Sequence, residues 1–396
     1  MLVNGLQIGS ILQVFAAFLK LGLTSFGGPV AHLGYFRDEF VTRRQWLDDK
    51  AYGELVTLCQ LLPGPASSQV GFAIGVLRGG GLAGGIAAWV AFTLPSAMLL
   101  FALALGLTAF SSPGTTGLVH GLKLVAVAVV AQAVLGMGRS LTPDITRLVI
   151  AASAVATLLL LPGWPRQVAA IAVGAVAGLL FCRNSGAYRS ANLHLPVSRS
   201  AGIAALVLFA GLLLAPIGWI QGAQLFSAFY QSGALVFGGG HVVLPLLQTQ
   251  IVTPGLLDES SFLAGYGLAQ AVPGPLFTFA AYLGALIGQP DHSLATASLA
   301  LIAIFLPGML LLYGALPFWN RLTDFAMVQA GIRGANAAVV GILAAAFYNP
   351  VWTSAILQPL DFALALGGFL LLVVAKAPPW LVVILMAAIG AMQRFL

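Results

Sequence analysis

The chain repeats itself, and this duplication restricts its fold more than any other feature. The matching segments are residues 18–29 with 229–240, 60–65 with 270–275, 94–95 with 306–307, and 121–130 with 331–340. All four matches occur in the same order, at offsets between 210 and 212 positions. Self-similarity at one fixed offset is the signature of a repeated structural unit. The sequence therefore predicts two copies of one unit rather than two unrelated domains.

The scarcity of charge places both copies in a membrane. Only 7% of the 396 residues are charged, against roughly 25% in a soluble domain. The 47 glycines suit helices that approach each other closely in lipid. The sequence predicts an all-α polytopic protein embedded in the lipid bilayer, and it excludes soluble enzymes and secreted disulfide scaffolds. The net charge is +6, but the basic residues are scattered, so no nucleic-acid partner is expected.

The organisation predicted from these patterns has three parts. Residues 1–182 form the first repeat, 183–220 a polar linker followed by one extra span, and 221–396 the second repeat. Arg183, Arg189 and Arg199 lie in or beside the linker without an acid, which favours a cytoplasmic position. An extra span between two copies with even span numbers reverses the second copy, which predicts inverted repeats among about 10–13 spans. If the broken segments are re-entrant, the parity changes and parallel repeats remain open.

Each copy contains Pro-Gly-Pro inside an apolar stretch. Proline removes an N–H donor and glycine permits unusual backbone angles, so both tripeptides predict broken helices. Paired breaks point to a transporter binding site, and a helix that restarts there presents free N–H groups to an anion. A plain proline kink is the alternative. The anion-site candidates at the two breaks are Pro63, Gly64, Pro65, Ser67, Ser68 and Gln69, and Pro273, Gly274, Pro275 and Thr278.

Two glycine runs form a second pair of breaks, and each is soon followed by a histidine. Successive backbone N–H groups in such runs can form an anion nest, or the glycines can serve close packing. His32 and His241 are candidate proton-relay residues, with a packing role as the alternative. Their positions in the two copies are not equivalent. The candidate glycines are Gly27, Gly28, Gly238 and Gly239.

Lys123 and Arg333 occupy equivalent positions inside the predicted spans 117–137 and 326–347. A cation at the centre of a membrane helix costs about 2.5–3.5 kcal/mol on insertion scales. Five of the eleven acids lie within residues 38–54, so an anionic substrate is an economical counter-charge for both cations. Asn336 lies on the same helical face as Arg333 and joins the candidate site. The alternative is that both cations extend to the lipid headgroups.

Nine of the 28 charged residues lie within residues 33–54. With Phe36, Phe40 and Trp46 they predict an amphipathic helix at the membrane interface. Glu54 precedes the first Pro-Gly-Pro by about two turns and is a candidate proton carrier, with a solvated interfacial role as the alternative. No CxxC, HExxH, GxxxxGK[ST] or GxSxG pattern occurs, so neither a metal site, a cofactor nor an enzyme activity is predicted.

Taken together, the motifs resemble the chromate ion transporter family in its long, two-domain form. The resemblance is carried by Phe26-Gly-Gly-Pro29 with His32, by the first Pro-Gly-Pro, and by the second copies of both motifs. It covers essentially the whole chain. In the second copy Gly240 stands where the first has Pro29.

The resemblance implies transport of chromate across the inner membrane, commonly efflux that confers chromate resistance, with sulfate as a related substrate. Moving one charge across 100 mV is worth about 2.3 kcal/mol, so expelling a dianion from a negative interior gains about 4.6 kcal/mol. Uptake of sulfate or another inorganic anion is the alternative transport function. A membrane scaffold or sensor is the alternative outside transport, and the sequence leaves a homodimer open.

Overall fold

The structure is a computed structural model that describes residues 2–109, 113–161, 165–182, 197–214, 223–318 and 326–393. Within these ranges every regular element is helical, and the helices are joined by short turns. This confirms the predicted all-α class. The predicted linker residues Arg183 and Arg189 lie outside the described ranges.

The first half contains nine regular elements. They are α1 (Leu2–Thr24), α2 (Gly28–Arg37), a π-helical segment (Asp38–Arg43), α3 (Asp49–Leu61), α4 (Ala66–Arg78), α5 (Leu82–Ala109), α6 (Pro113–Leu141), α7 (Ile145–Leu160) and α8 (Pro165–Phe181). The helix α9 (Arg199–Leu214) follows and packs on the second half. It has no equivalent among the described helices of the first half.

The second half repeats this order. Its elements are α10 (Ala223–Ala234), a 3-10 turn (Gly240–Val242), α11 (Val243–Leu247), a π-helical segment (Gln248–Val252), α12 (Glu259–Ala269), a 3-10 turn (Leu276–Thr278), α13 (Phe279–Ile287), α14 (Ser293–Ala315), a 3-10 turn (Leu316–Phe318), α15 (Ala326–Ala346), a π-helical segment (Phe347–Trp352), one helical turn (Thr353–Ala355), α16 (Pro359–Val373) and α17 (Pro379–Gln393). Both Pro-Gly-Pro segments separate two short helices, so the predicted helix breaks are confirmed. The segment before α3 or α12 is π-helical in both halves.

The halves exchange their last helices. α6 packs against α16 and α17 of the second half, while α15 packs against α7 and α8 of the first. Glycines allow the backbones to approach: a methyl group on Gly267 of α12 would lie 2.5 Å from the Leu122 carbonyl of α6. Because each half covers apolar helix faces of the other, neither copy completes its own core.

The contacts around Gly238 show that the equivalent helices α6 and α15 run in opposite directions. The side chains of Met137 on α6 and Asn336 on α15 both lie within 3.6 Å of the position that a Gly238 methyl group would occupy. In parallel repeats, Met137 would lie level with Phe347, which is 11 residues from Asn336, or about 16 Å along a helix. The halves are therefore inverted, as predicted.

Among the described residues, four helical stretches are long and apolar enough to cross a membrane. They are Leu82–Leu107, Thr116–Leu141, Ser293–Phe318 and Met327–Ala355. They form two equivalent pairs, based on α5 with α14 and α6 with α15. The other apolar helices of 10–17 residues are shorter than the roughly 20 residues that a 30 Å hydrocarbon core requires. They include the halves of the broken helices.

The charged segment 33–54 is not the single amphipathic helix predicted from its sequence. The helix that begins at Gly28 ends at Arg43, and a turn in which Gln45 has φ of 50° leads into α3. The reason is the buried Glu39, whose carboxylate accepts hydrogen bonds from Arg43 at 2.8 Å and Arg44 at 2.7 Å and pairs with Lys20 at 3.4 Å. This cluster folds the chain back onto α1 instead of leaving it extended along the interface.

The equivalent positions in the second half confirm that this cluster is part of the repeated frame. Gln231 and Gln250 stand where the first half has Lys20 and Glu39, and the Gln250 amide donates to Gln231 at 3.2 Å. A salt bridge in one copy is thus replaced by an amide pair in the other. The contact between these elements is therefore common to both copies, whereas its charge is not.

We expect Glu39→Gln to lower the stability of the folded protein by about 2 kcal/mol, because a neutral amide cannot satisfy three cations around a buried position. Burial raises the pKa of Glu39, but the Arg44 hydrogen bond and the charges of Lys20 and Arg43 outweigh this effect and hold the pKa below 4.5. The stabilisation is therefore present above pH 4.5 and is lost as the pH falls through the folded-state pKa.

Thermal unfolding of the purified protein in detergent checks this expectation. Asp49→Asn is the matched control, because the Arg37–Asp49 pair has side chains 51% and 65% exposed. Such exposed pairs contribute little. Equal melting temperatures for Glu39→Gln and the wild type would contradict the assignment.

Candidate functional site

The two Pro-Gly-Pro segments meet the opposite halves through a reciprocal pair of hydrogen bonds. The Gly64 N–H donates to the Val236 carbonyl at 2.7 Å, and the Gly274 N–H donates to the Ser25 carbonyl at 2.9 Å. Ser25 and Val236 are themselves equivalent positions, each two residues before a glycine run. Each broken helix of one copy therefore lies against the glycine run of the other, around a pseudo-twofold axis.

The glycines at this junction are required by backbone conformation. Gly64 has φ of +126° and Gly274 of +106°. The glycine runs behave alike, with Gly27 at +100° and Gly238 at +73°. These angles are costly for residues that carry a Cβ atom.

The second copy of the glycine motif has Gly240 where the first has Pro29, and packing explains this difference. A methyl group on Gly240 would lie 3.3 Å from the ring of Pro29, its own equivalent in the first half. Two equivalent positions that face each other across the axis cannot both hold a proline ring. The absence of a second Phe-Gly-Gly-Pro is therefore a consequence of how the halves meet.

The restart of the first broken helix is polar and buried. Ser67, Ser68 and Gln69 form the first turn of α4, and each is at most 3% exposed. The Gln69 amide donates to the carbonyls of Pro63 at 3.1 Å and Gly308 at 2.9 Å, so it ties the break to α14 of the other half. The Gln69 N–H donates to the Pro65 carbonyl at 2.9 Å, whereas the N–H groups of Ser67 and Ser68 precede the first intrahelical acceptor. This end of α4 therefore has the donor geometry of an anion site.

The restart of the second broken helix is less polar. Thr278 is buried, and its hydroxyl donates to the Pro275 carbonyl at 2.6 Å. Its hydroxyl therefore satisfies the local backbone of the break. The two breaks are alike in backbone but differ in the side chains around them.

Both candidate histidines lie at the junction of the halves. His32 is fully buried, with Nδ1 3.4 Å from the Ser67 hydroxyl and its ring edge-on to Phe92. His241 bonds the Tyr266 hydroxyl at 2.6 Å. A small cavity of about 20 Å³, enough for a water molecule, is lined by Gly27, Gly28, His241, Ala269, Gln270, Val272, Gly274, Leu276 and Pro379. The first glycine run and the second Pro-Gly-Pro thus border one cavity.

Lys123 is buried on α6, and acids surround it. Asp258, Glu259 and Asp361 of the second half lie within electrostatic reach of its ammonium group. The expectation that few acids are available to neutralise this cation is therefore wrong for Lys123. The acids are distant in sequence and reach it because α12 and α16 pack against α6.

Arg333 is half-buried on α15 and donates to the Cys182 carbonyl at the end of α8, at 2.6 Å. Asn336, one turn away, lies beside Gly238. Because Asn336 is level with Met137, which is 14 residues from Lys123 on α6, the levels of the two cations differ by about 20–25 Å. The structure does not bring Lys123 and Arg333 together.

Glu54 lies half-buried on α3, before the first break. The glycines Gly238 and Gly239 lie against Met137. Their functional roles stay predictions.

Sequence reasoning missed a hydrogen-bonded His–Asp pair that joins the halves. His120 Nε2 lies 2.8 Å from the carboxylate of Asp361, which is fully buried. The same carboxylate accepts the backbone N–H groups of Leu357 at 3.0 Å and Gln358 at 3.1 Å. Asp361 looks like a residue at the end of a predicted span, and no local pattern marks its partner 241 positions away.

Two inverted helical copies whose broken helices meet at a central polar junction define a membrane carrier of the inverted-repeat class. The family model described as "Chromate transporter" matches residues 12–179 and 223–391. The chain belongs to the chromate transporter family.

Individual relatives agree with this assignment. The chain is 29% identical to the chromate transport protein of Pseudomonas aeruginosa over 84% of this chain and 79% of the relative. It is 27% identical to the chromate transport protein of Cupriavidus metallidurans, over 84% and 81%. An uncharacterized transporter of Methanocaldococcus jannaschii is 28% identical over 85% and 83%. No solved structure matches the chain significantly.

Proposed function

We propose that the protein is an alternating-access carrier that exports chromate across the inner membrane and so confers chromate resistance. The observation that carries this proposal is the reciprocal bonding of the two Pro-Gly-Pro segments to the opposite halves. Two inverted units that meet at one central junction can rock about it and expose the junction to either side in turn. The family and its chromate-transporting relatives support the choice of substrate.

The proposed direction follows from charge. Expelling a dianion from a negative interior gains about 4.6 kcal/mol per 100 mV, so export needs no other energy source of that size. Sulfate has the same shape and charge and is a natural competitor. We propose that it enters the same site.

The proposed roles of Lys123 and Arg333 differ from the predicted single shared site. Inversion puts them at different levels on opposite sides of the junction. Arg333 would attract anions at one mouth of the pathway, and Lys123, whose charge three acids partly offset, would attract them more weakly at the other. The anion would pass between them and bind at the breaks, with His32, His241 or Glu54 able to carry a coupled proton.

Flux of chromate in proteoliposomes of defined orientation and membrane potential tests the function. We expect wild-type protein to move chromate out of the compartment that is made negative, and sulfate to compete. Lys123→Ala and Arg333→Ala should each lower the flux at least tenfold at matched protein amounts, whereas Lys50→Ala, at an exposed position, should not. Wild-type flux in both variants would remove the two cations from the pathway.

Three results would contradict the function itself. Flux only into the negative compartment would favour an uptake carrier, and sulfate flux without chromate flux would change the substrate. Purified protein that moves neither oxyanion under any gradient would favour a scaffold or sensor.

A further inference from the structure

The residues around the first break are more polar than their equivalents around the second break. Five buried residues around the first break are polar, and the equivalent residues around the second are not. The pairs are Ser25 and Val236, His32 and Val243, Ser67 and Phe277, Thr93 and Phe305, and Ser96 and Gly308. In the second half, the rings of Phe277 and Phe305 lie 5.6 Å apart and fill the space between α13 and α14. The first half has hydroxyl groups at both positions.

We name these five polar residues of the first half the hydroxyl cluster (Ser25, His32, Ser67, Thr93 and Ser96), and two pairs among them are in contact. His32 Nδ1 lies 3.4 Å from the Ser67 hydroxyl. The Ser96 hydroxyl donates to the Thr93 carbonyl at 3.0 Å. The turn after α1 and the helices α2, α4 and α5 thus each contribute to the cluster.

The second half closes the hydroxyl cluster through Gly274. The N–H of this glycine donates to the Ser25 carbonyl at 2.9 Å. A methyl group in its place would lie 2.7 Å from the Ser96 hydroxyl oxygen. The second Pro-Gly-Pro therefore lies directly against the hydroxyl cluster, which joins the cluster to the part of the molecule that must move in a carrier.

Three polar atoms of the hydroxyl cluster are buried without a hydrogen-bond partner among the described residues. They are Ser25 Oγ, Thr93 Oγ1 and His32 Nε2, in side chains at most 1% exposed. An unpartnered buried donor costs folding free energy, so such groups are rare unless they have a use. The Phe277–Phe305 pair shows that the same frame tolerates an apolar filling at equivalent positions. The polar residues are therefore not required by packing.

We propose that the hydroxyl cluster binds the tetrahedral oxyanion, and that the substrate therefore binds on the first-half side of the axis instead of equally between the copies. This deepens the proposed function and rests on it. The Ser25 and Thr93 hydroxyls and His32 Nε2 donate to the anion oxygens. When the Ser67 hydroxyl donates to His32 Nδ1, the imidazole carries its proton on Nε2 and can donate it to the anion in place of the Ser25 backbone. The first turn of α4 adds backbone N–H groups.

The donors of the hydroxyl cluster are neutral, and neutral donors suit a carrier that must release its substrate. Hydroxyl and imidazole donors bind an oxyanion by hydrogen bonds without adding a fixed positive charge beside it. A dianion held this way keeps its own charge and can leave when the halves move. The donors come from four elements, which matches an anion that accepts hydrogen bonds in tetrahedral directions.

Binding of radiolabelled sulfate and chromate to purified protein in detergent tests the proposal independently of flux. Thr93→Val keeps the side-chain shape and removes the hydroxyl, and Ser25→Ala removes the other. We expect each to raise the half-saturating oxyanion concentration about tenfold or more, since hydrogen bonds to charged groups are strong. The melting temperature of the unliganded protein should stay equal or rise, because an unpartnered buried group is removed.

Ser232→Ala is the matched control. Ser232 is 1% exposed, and its hydroxyl donates to the Ala228 carbonyl of its own helix at 2.7 Å. It should leave oxyanion affinity unchanged. Affinities within twofold of wild type for both Thr93→Val and Ser25→Ala would overturn the proposal, as would a lower melting temperature in both without weaker binding. If the wild-type protein binds the oxyanion through the hydroxyl cluster but shows no flux, the transport function alone is overturned. If the wild-type protein does not bind the oxyanion, both the transport function and the binding site are overturned.

Discussion

Gly274→Ala is expected to reduce chromate flux to background. The residue has φ of +106°, and its new methyl group would lie 2.7 Å from the Ser96 hydroxyl oxygen and 3.2 Å from Ser96 Cβ. The left-handed backbone conformation alone costs about 1–2 kcal/mol for a residue with a Cβ atom. The clash adds to this and displaces the break from Ser25, so the reciprocal contact between the halves is lost on one side.

Flux at matched protein amounts, measured together with the melting temperature, checks this expectation. Gly255→Ala is the matched control, because Gly255 has φ of +81° but no atom within 4 Å of the added methyl group. It carries the same kind of backbone strain without the clash, and it should retain most of the flux. Gly64→Ala should behave like Gly274→Ala, since its methyl group would lie 3.0 Å from Gly308 Cα. Normal flux in Gly274→Ala would show that the junction is not tightly packed during transport.

Asp361→Asn should destabilise the protein by about 1.5–3 kcal/mol, the usual contribution of a hydrogen bond to a charged group. The carboxylate is fully buried, is 2.8 Å from His120 Nε2, and accepts two backbone N–H groups at the start of α16. It also lies within electrostatic reach of the buried Lys123. A neutral amide leaves this cation with less counter-charge and loosens α16 from α6. Flux should fall with stability, because these helices belong to different halves.

The control for this variant is Asp144→Asn at the equivalent helix α7. Asp144 accepts the Arg147 backbone N–H at 2.9 Å, but its side chain is 48% exposed. Hydrogen bonds from Arg147 hold the pKa of Asp144 below its usual range. Because water replaces much of what is lost there, its melting temperature should change little. A similar small change in Asp361→Asn would contradict the structural importance of the pair with His120.

The sequence predicts the helical class, the duplication and the helix breaks of this protein well, because each is visible in short segments of the chain. Duplication, low charge and paired proline breaks are properties of the chain itself, and each has a direct structural consequence. The broken helices at Gly64 and Gly274 follow from residues that cannot continue a helix, and the breaks recur because the chain is duplicated. The extra helix α9 also favours inversion, because one added span reverses the direction of the spans after it when each copy has an even number of them.

The contacts of the ionisable residues were much harder to predict. Lys123 and Arg333 are equivalent in sequence, which suggested one shared site. Equivalent positions in inverted halves lie on opposite sides of the axis, so their levels differ by about 20–25 Å. Asp361 showed no local signal, because its partner comes from the exchange of terminal helices between the halves. The polar bias toward the first half was visible only after the equivalent residues had been located around the junction.

The order of residues along the chain was therefore sufficient to determine a helical membrane protein made of two copies, with a break in each copy at Pro-Gly-Pro, because helix propensity and lipid solubility act over a few neighbouring residues. The tertiary structure decided which break faces hydroxyl groups, which acids surround Lys123, and why Gly240 replaces Pro29. Those outcomes depend on segments about 210 positions apart that meet across a pseudo-twofold axis, where no short-range rule applies.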